Sequence, residues 1–238
     1  MTLKSFGCSF VFGSELSDNQ AATDLGIREP QPSVLTWPAH LACYLGHTYE
    51  CYARPGSGNL QIAERVLSHA VDTDPALFVI GWSWSDRFDY ANSIIDTRPL
   101  PSRWKNWRTI MPTDETPLAK TYYRDLQTEY RDKLTTLMSI KLVIDTLNQK
   151  GIPFLMTYMD DLIFDQTWHI TPAVIDLQKY VEPYMTTFDG LNFLKWSRQH
   201  GYAITKAEHP LEEAHQAAGD YMIKVFDKQK TISHCRPV

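Results

Sequence analysis

Short apolar runs alternate with helix-like patterns along most of the chain. The third run, residues 77–82, is continuously apolar, which is typical of a strand buried in the centre of a parallel sheet. The runs that predict strands are 3–6, 48–53, 77–82, 154–158 and 202–204. Because strands that alternate with helices usually form a parallel sheet covered by helices, the pattern predicts a doubly wound α/β sandwich with five strands.

Apolar positions three and four residues apart predict the helices. These cover residues 37–45, 60–71, 118–150 with one break, about 172–180, about 191–200, and 211–228. Residues 83–117 interrupt the alternation, because they are rich in aromatic residues and prolines and show no clear period. Irregular segments of this length usually carry function. We therefore expect a single domain over residues 1–238 with an aromatic-rich insertion or lid at about 83–117.

The composition narrows the possible partners. The chain has 238 residues and a formal net charge of −5, and its Lys and Arg residues form no run, so no nucleic-acid partner is expected. The one basic and aromatic patch, residues 103–108, is expected to be a surface loop or lid. No segment has the pattern of a signal peptide or the length of a membrane span, and the four cysteines lack metal-ligand spacing. These features predict a cytoplasmic protein with no membrane partner and no metal, and they leave the oligomeric state open.

Polar residues follow the predicted strands at the points where the strands end. Gly7-Cys8-Ser9 comes after the first strand, Gly56-Ser57-Gly58-Asn59 after the second and Gly81-Trp82-Ser83 after the third. Glu208-His209-Pro210 comes after the last short strand. Because the carboxyl ends of parallel strands share one crevice, these residues are expected to converge there.

These segments resemble the motifs of the SGNH (GDSL-type) hydrolase family, and the resemblance spans nearly the whole chain. Ser9 in GCSFVFG matches the nucleophile block, in a Gly-Cys-Ser variant associated with bacterial and phage members. Gly58 in RPGSGN matches the block whose backbone N–H enters the oxyanion hole, and His209 matches the general base. The resemblance implies a flavodoxin-like three-layer sandwich with a five-stranded parallel sheet. It also implies catalysis through an acyl-serine without a metal or organic cofactor.

The chemistry requires these residue types. A serine hydroxyl becomes a good nucleophile when an imidazole removes its proton, and glycine lets backbone N–H groups approach an oxyanion closely. Two positions depart from the family pattern. Ser83 stands where the family has an oxyanion asparagine, so Asn59 or Trp84 is an alternative donor. Lys206 stands where the family has the acid that orients the histidine. Glu208, a backbone carbonyl or an acid of the Asp160-Asp161 pair is the alternative to that acid.

Other chemically interesting residues have two interpretations each. Cys8 is expected to be a core thiol, since its strand position alternates away from Ser9. His215 is a rival base that fits better as a packing residue of the last helix. Arg87 could hold an anionic group of the substrate or form an ordinary ion pair with a carboxylate. Asp160-Asp161 could bind a metal, but fits better as a loop or helix cap.

The resulting hypothesis is a serine esterase that cleaves a carboxylic ester, with acetyl or short acyl groups on a carbohydrate as one expected substrate. Its catalytic residues are Ser9 and His209; Gly58, Ser83, Asn59 and Arg87 are its oxyanion or substrate-binding residues. One alternative is an acyltransferase on the same scaffold, in which an alcohol replaces water. The other is a non-catalytic binding or structural protein that keeps the fold, which the departures at Ser83 and Lys206 favour.

Overall fold

The computed structural model describes residues 1–19, 31–72, 74–91 and 107–234, with side chains to residue 227. The strands are β1 (Thr2–Phe6), β2 (Thr48–Cys51), β3 (Ala76–Trp82), β4 (Phe88–Ala91), β5 (Trp107–Ile110) and β6 (Phe154–Tyr158). The helices are α1 (Ser9–Phe12), α2 (Trp37–Tyr44), α3 (Asn59–His69), α4 (Pro117–Asp125), α5 (Glu129–Lys150), α6 (Pro172–Val181), α7 (Phe193–Gln199) and α8 (Glu212–His234). Two 3₁₀ turns cover Asp161–Phe164 and Glu182–Tyr184.

The main sheet has four parallel strands in the order β2-β1-β3-β6. Ser5 of β1 pairs with Cys51 on one side and with Val79 on the other, so β1 lies between β2 and β3. Parallel strands end at the same edge of a sheet. The turn after β1, which carries Ser9, therefore lies between the loop after β2 and the loop after β3. This is the edge at which open α/β sheets bind their ligands.

The prediction of a fifth strand at residues 202–204 is wrong. Ile204 forms only one isolated antiparallel bridge, to Pro210. The apolar residues of this run are used for packing: the Tyr202 ring lies 5.4 Å from the Trp196 ring of α7. The place beside β6 is taken by another segment: Met185 forms an isolated parallel bridge with Met156, and the Thr186 N–H donates to the Met156 carbonyl at 2.8 Å. The described part of the main sheet therefore has four strands.

Helices cover both faces of this sheet, because consecutive strand side chains point to opposite sides. Phe6, Ile80 and Met156 pack with α3, α5 and α6 on one face. Leu3 and Val79 pack with α2, α7 and α8 on the other. Full burial of one such side chain contributes about 1.5–3 kcal/mol. All seven residues of β3 are buried, as its continuous apolar run predicts.

The predicted insertion contains a regular element. β4 and β5 pair as antiparallel strands, with Phe88 opposite Ile110, and residues 92–106 between them lie outside the described residues. Most of the predicted basic and aromatic patch falls in that segment, while Trp107 and Arg108 belong to β5. The predicted break in the long helix is confirmed, since α4 ends at Asp125 and Thr128 caps the start of α5. None of the described helices has the length and apolar character needed to span a membrane.

Candidate active site

Ser9 is the first residue of the short helix α1, directly after β1, and it is 6% exposed. Gly7 allows this turn, because a Cβ there would come within 2.9 Å of the Gly81 carbonyl oxygen at the end of β3. The helix ends at Gly13, which has a left-handed φ of 79°. No described residue forms a hydrogen bond with the N–H or the hydroxyl of Ser9. The turn therefore presents an unengaged serine at the edge of the sheet.

His209 lies against this turn. Its ring packs 5.3 Å from the ring of Phe10, the neighbour of Ser9, and its side chain is 17% exposed. Its Nδ1 is 2.5 Å from Oε2 of Glu15. No hydrogen bond joins His209 to the Ser9 hydroxyl. Such bonds are often long before substrate binds.

Glu15 supplies the carboxylate that the sequence motif lacks. Its Oε2 also accepts a hydrogen bond of 2.6 Å from the Thr205 hydroxyl, and Thr205 in turn receives the His209 backbone N–H. The hydrogen bonds from Thr205 and then His209 lower the pKa of Glu15 below the usual glutamate value. Glu15 adopts a left-handed φ of 68°, a strained conformation for this residue type that often occurs at functional sites.

The acids proposed from the sequence contact other groups. Glu208 accepts a hydrogen bond of 2.6 Å from Arg198. Asp160 accepts the Ser85 N–H and caps the first 3₁₀ turn, which confirms the expectation of a cap. Asp161 pairs with Lys195. The acid at His209 therefore comes from the nucleophile turn, and the only sequence signal for it is a glutamate shortly after Gly13.

Gly58 lies at the start of α3, where its backbone N–H is hydrogen-bonded to the Asp89 carboxylate. The Gly58 N–H donates to Oδ1 of Asp89 at 3.0 Å, and the Gln61 N–H donates to Oδ2 at 2.8 Å. Burial raises the pKa of Asp89, against the effect of the Thr109 hydroxyl and these N–H donors. Two residues before Gly58, the Gly56 N–H has no acceptor among the described residues, and Gly56 has a left-handed φ of 79°. In this loop the Gly58 N–H is therefore occupied, as is the Ser57 N–H that donates to the Arg54 carbonyl, whereas the Gly56 N–H is unoccupied by described residues.

Asn59 and Ser83 join α3 to the end of β3. The Ser83 N–H donates to Oδ1 of Asn59 at 2.7 Å, and Nδ2 of Asn59 donates to the Ser83 carbonyl and to Thr136 Oγ1. These bonds use the Asn59 amide as a structural link. The Ser83 hydroxyl is fully buried and has no hydrogen-bond partner among the described residues.

Arg65 is a buried support of the site that sequence reasoning missed. Its guanidinium donates to the Gly7 carbonyl at 3.3 Å, to the Ser57 hydroxyl at 2.8 Å and to Gln61 Oε1 at 3.0 Å. Burial lowers the pKa of Arg65 to about 10, so the group stays charged at neutral pH. Arg65 therefore ties the nucleophile turn to the loop after β2.

Two other predicted residues lie in packing positions. His215 is 2% exposed and its Nδ1 accepts the Trp37 N–H at 3.3 Å. Burial lowers the pKa of His215 to about 3, so its ring is neutral. Cys8 is buried in the core on the α2 side of the sheet. Both were expected to pack.

Arg87 lies at the rim of the crevice. Its Nη1 donates to the Ser57 carbonyl at 3.1 Å, and its guanidinium lies 4.8 Å from the centre of the Trp84 ring. It also lines a cavity of about 470 Å³ between α3, β4 and α5, which extends to Met138 and Leu142. Ser9 and His209 do not line that cavity. Within the described residues, no group of His, Cys, Asp and Glu could hold a metal ion.

Comparison with known proteins places the fold among esterases. No protein-family profile matches the chain, and no curated protein sequence is similar to it. The esterase EstA from Pseudoalteromonas sp., inhibited by monoethylphosphonate, has a TM-score of 0.53 and 9% identity, covering 97% of this chain and 98% of that chain. The acetyl xylan esterase Est2A from the rumen bacterium Butyrivibrio proteoclasticus has a TM-score of 0.50 and 10% identity, and the match covers 97% of this chain and 64% of that chain.

A third similar structure is a member of the lipolytic G-D-S-L family from Veillonella parvula. Its TM-score is 0.49 and its identity 12%, and the match covers 95% of this chain and 98% of that chain. At such identities the likeness concerns the fold. The chain has a mixed α/β fold similar to those of EstA and Est2A.

Proposed function

We propose that this chain is an SGNH-type ester hydrolase with Ser9 as its nucleophile and His209 as its general base. The observation that carries the proposal is the 2.5 Å contact between His209 Nδ1 and Glu15, formed against the turn that carries Ser9. A non-catalytic chain has no need of a strained glutamate aligned on a histidine beside an unengaged serine. Two structural neighbours, EstA and Est2A, are named as esterases, which supports the same reaction class.

The proposed reaction has two steps, acylation and hydrolysis of the acyl-serine. Ser9 Oγ attacks the ester carbonyl carbon while His209 Nε2 takes the hydroxyl proton. The tetrahedral intermediate collapses, the carbon–oxygen bond to the alcohol breaks, and Nε2 returns the proton to the leaving alcohol. Water then attacks the acyl-serine by the same route and releases the acid. Glu15 holds Nδ1 protonated, so that the lone pair of the ring is at Nε2, and it stabilises the imidazolium that forms.

The developing oxyanion needs backbone donors near Ser9. We assign the Ser9 N–H as the first donor, since it is unengaged at the start of α1. The second comes from the loop after β2: either the Gly58 N–H, if Asp89 releases it, or the free Gly56 N–H. Losing one such donor typically lowers kcat about 100- to 1000-fold.

Short acyl esters of carbohydrates are the first substrates to test, because one structural neighbour is an acetyl xylan esterase. The basic test is hydrolysis of 4-nitrophenyl acetate. We expect Ser9→Ala and His209→Ala each to lower kcat at least about 10³-fold. The matched controls are Ser14→Ala in the same turn and His215→Asn in the core. The kcat of each should stay within about threefold of the wild-type value.

A folded wild-type protein that hydrolyses no aryl acetate and transfers no acetyl group to an added alcohol would contradict the proposal. So would full activity of Ser9→Ala. Turnover that depends on an added alcohol would instead assign the same site to an acyltransferase.

A further inference from the structure

Arg87 bridges the two loops that flank the nucleophile turn. It follows β3, and its Nη1 donates to the carbonyl of Ser57, which follows β2. Since β1 lies between these strands, the bridge crosses the end of the strand that leads to Ser9. The guanidinium is therefore tied to the loops on both sides of the nucleophile turn.

Among the described residues, most of the hydrogen-bonding capacity of this guanidinium is unused. Arg87 makes one hydrogen bond to them, and none of their carboxylates forms an ion pair with it, although Asp86 is its neighbour in the chain. Arg131 offers a comparison within the same cavity wall. It also lies over an aromatic ring, but it pairs with Asp132 at 3.2 Å. Arg87 therefore lacks the ordinary ion pair with a described carboxylate that was the alternative interpretation of this residue.

The guanidinium is held in place before any ligand arrives. It stacks on Trp84 at 4.8 Å, and the Trp84 ring packs 5.3 Å from Phe10. Phe10 in turn packs against His209. A stacked, half-exposed arginine loses little freedom when it binds an anion, and its planar fork fits the two oxygens of a carboxylate or phosphate.

Three of the four acids near this position are engaged by other groups. Among the nearby acids, Asp89 is buried and accepts bonds from α3, and Asp160 accepts bonds from Ser85. Asp132, which lines the same cavity, pairs with Arg131. Asp86 is the remaining acid; burial followed by repulsion from Asp160 raises its pKa, against the attraction of the Arg87 charge.

We propose that Arg87 and Trp84 form a subsite for a negatively charged group of the ester substrate. The substrate class is an ester whose alcohol or acyl part carries a carboxylate or phosphate. This inference rests on the proposed ester hydrolysis at Ser9. It adds a preference for acidic esters over neutral ones.

The kinetic test compares 3-acetoxybenzoate with its neutral methyl ester, which share the acetyl group and the aryl ring. We expect the wild type to prefer the anionic ester, and Arg87→Gln to lower the ratio of the two kcat/KM values about 10- to 100-fold. Arg87→Lys should retain part of the preference, because lysine keeps the charge and loses the planar fork. Arg124→Gln is the matched control, since Arg124 is an exposed arginine paired with Asp125, and it should leave the ratio unchanged.

A binding measurement separates this inference from the proposed function. Ser9→Ala protein is titrated with 3-hydroxybenzoate and with its methyl ester by calorimetry, which requires no turnover. We expect tighter binding of the anion, weakened by added salt and lost in the Ser9→Ala, Arg87→Gln double variant. Equal affinity for both compounds, or unchanged affinity in the double variant, would overturn the subsite. Absence of turnover with intact anion binding would instead overturn only the esterase.

Discussion

Replacement of Glu15 by Gln tests the least expected feature of the site. Loss of the orienting acid in a serine–histidine–acid triad lowers kcat about 10⁴-fold when the acid is buried. The Glu15 side chain is 41% exposed, so water screens part of its charge. We therefore expect a fall in kcat of about 10² to 10³, or roughly 2.7–4 kcal/mol of transition-state stabilisation. KM should change less than about threefold, because Glu15 contacts the base and not the substrate.

Initial rates with 4-nitrophenyl acetate give both constants. The matched control is Glu208→Gln. Glu208 is the acid next to His209 in sequence, but it pairs with Arg198, so the kcat of this variant should stay within about threefold of the wild-type value. A wild-type kcat in Glu15→Gln, or a larger loss in Glu208→Gln, would refute the assignment.

The stability of Glu15→Gln gives a second check. Because the native pKa of Glu15 is lowered, its carboxylate stabilises the fold above the unfolded-state pKa of about 4.3, and this contribution disappears as pH falls below that value. The difference in unfolding free energy between wild type and Glu15→Gln should therefore shrink in acid. A difference that stays constant down to pH 3 would contradict this.

Three further predictions concern buried groups. Arg65→Met should destabilise the fold by about 3 kcal/mol in urea unfolding, because the Gly7 carbonyl and the Ser57 hydroxyl lose a charged donor. His215→Asn should remove a pH dependence of the unfolding free energy. The native pKa of His215 is about 3, so below about pH 6.5 the unfolded chain takes up a proton that the folded chain does not, and stability falls as the pH falls. Between pH 7 and 5 this costs the wild type about 2 kcal/mol, which the variant should not show. Ser83→Ala should leave kcat within about threefold and stabilise the fold by about 1 kcal/mol, because it removes a buried hydroxyl without a partner.

Each of these has a clear contrary result. Unchanged stability of Arg65→Met would show that the guanidinium contributes no net support. Identical pH dependence in His215→Asn would mean that other groups account for acid destabilisation. A fall of kcat by 100-fold in Ser83→Ala would show that this hydroxyl turns toward the oxyanion, in place of the family's asparagine.

The regular elements were predictable wherever local pattern and burial agree. The continuous apolar run of β3 is typical of a central strand, and the two-part helix over α4 and α5 follows from a broken period. The prediction of a strand at 202–204 was wrong. Three apolar residues can pack equally well against Trp196 or in a sheet, and the sequence alone does not distinguish the two. Pairing of β4 with β5 was missed because 15 residues separate them, too many for a short hairpin signal.

The site was predictable only in part. Ser9 follows from a motif at the end of β1 and His209 from a motif after the run 202–204, and the structure brings their segments together. Glu15 does not follow, because its role depends on a left-handed backbone at one residue and on the docking of the 205–209 turn. Arg65 lies within a helix whose pattern gives no sign that a guanidinium is buried beneath it. Gly58 shows the reverse. Its motif indicates a free backbone N–H, whereas this N–H donates to the carboxylate of Asp89, 31 residues away in the chain.

The most direct test of the account is covalent labelling of Ser9. The intact protein is treated with a fluorophosphonate, a reagent class related to the monoethylphosphonate that inhibits the structurally similar Pseudoalteromonas esterase. Peptide mass spectrometry should find one phosphonate on Ser9, with labelling abolished in Ser9→Ala, strongly slowed in Glu15→Gln and unchanged in Ser14→Ala. A folded protein that stays unlabelled, or that carries the adduct on another residue, would contradict the claim that Ser9 is an activated nucleophile.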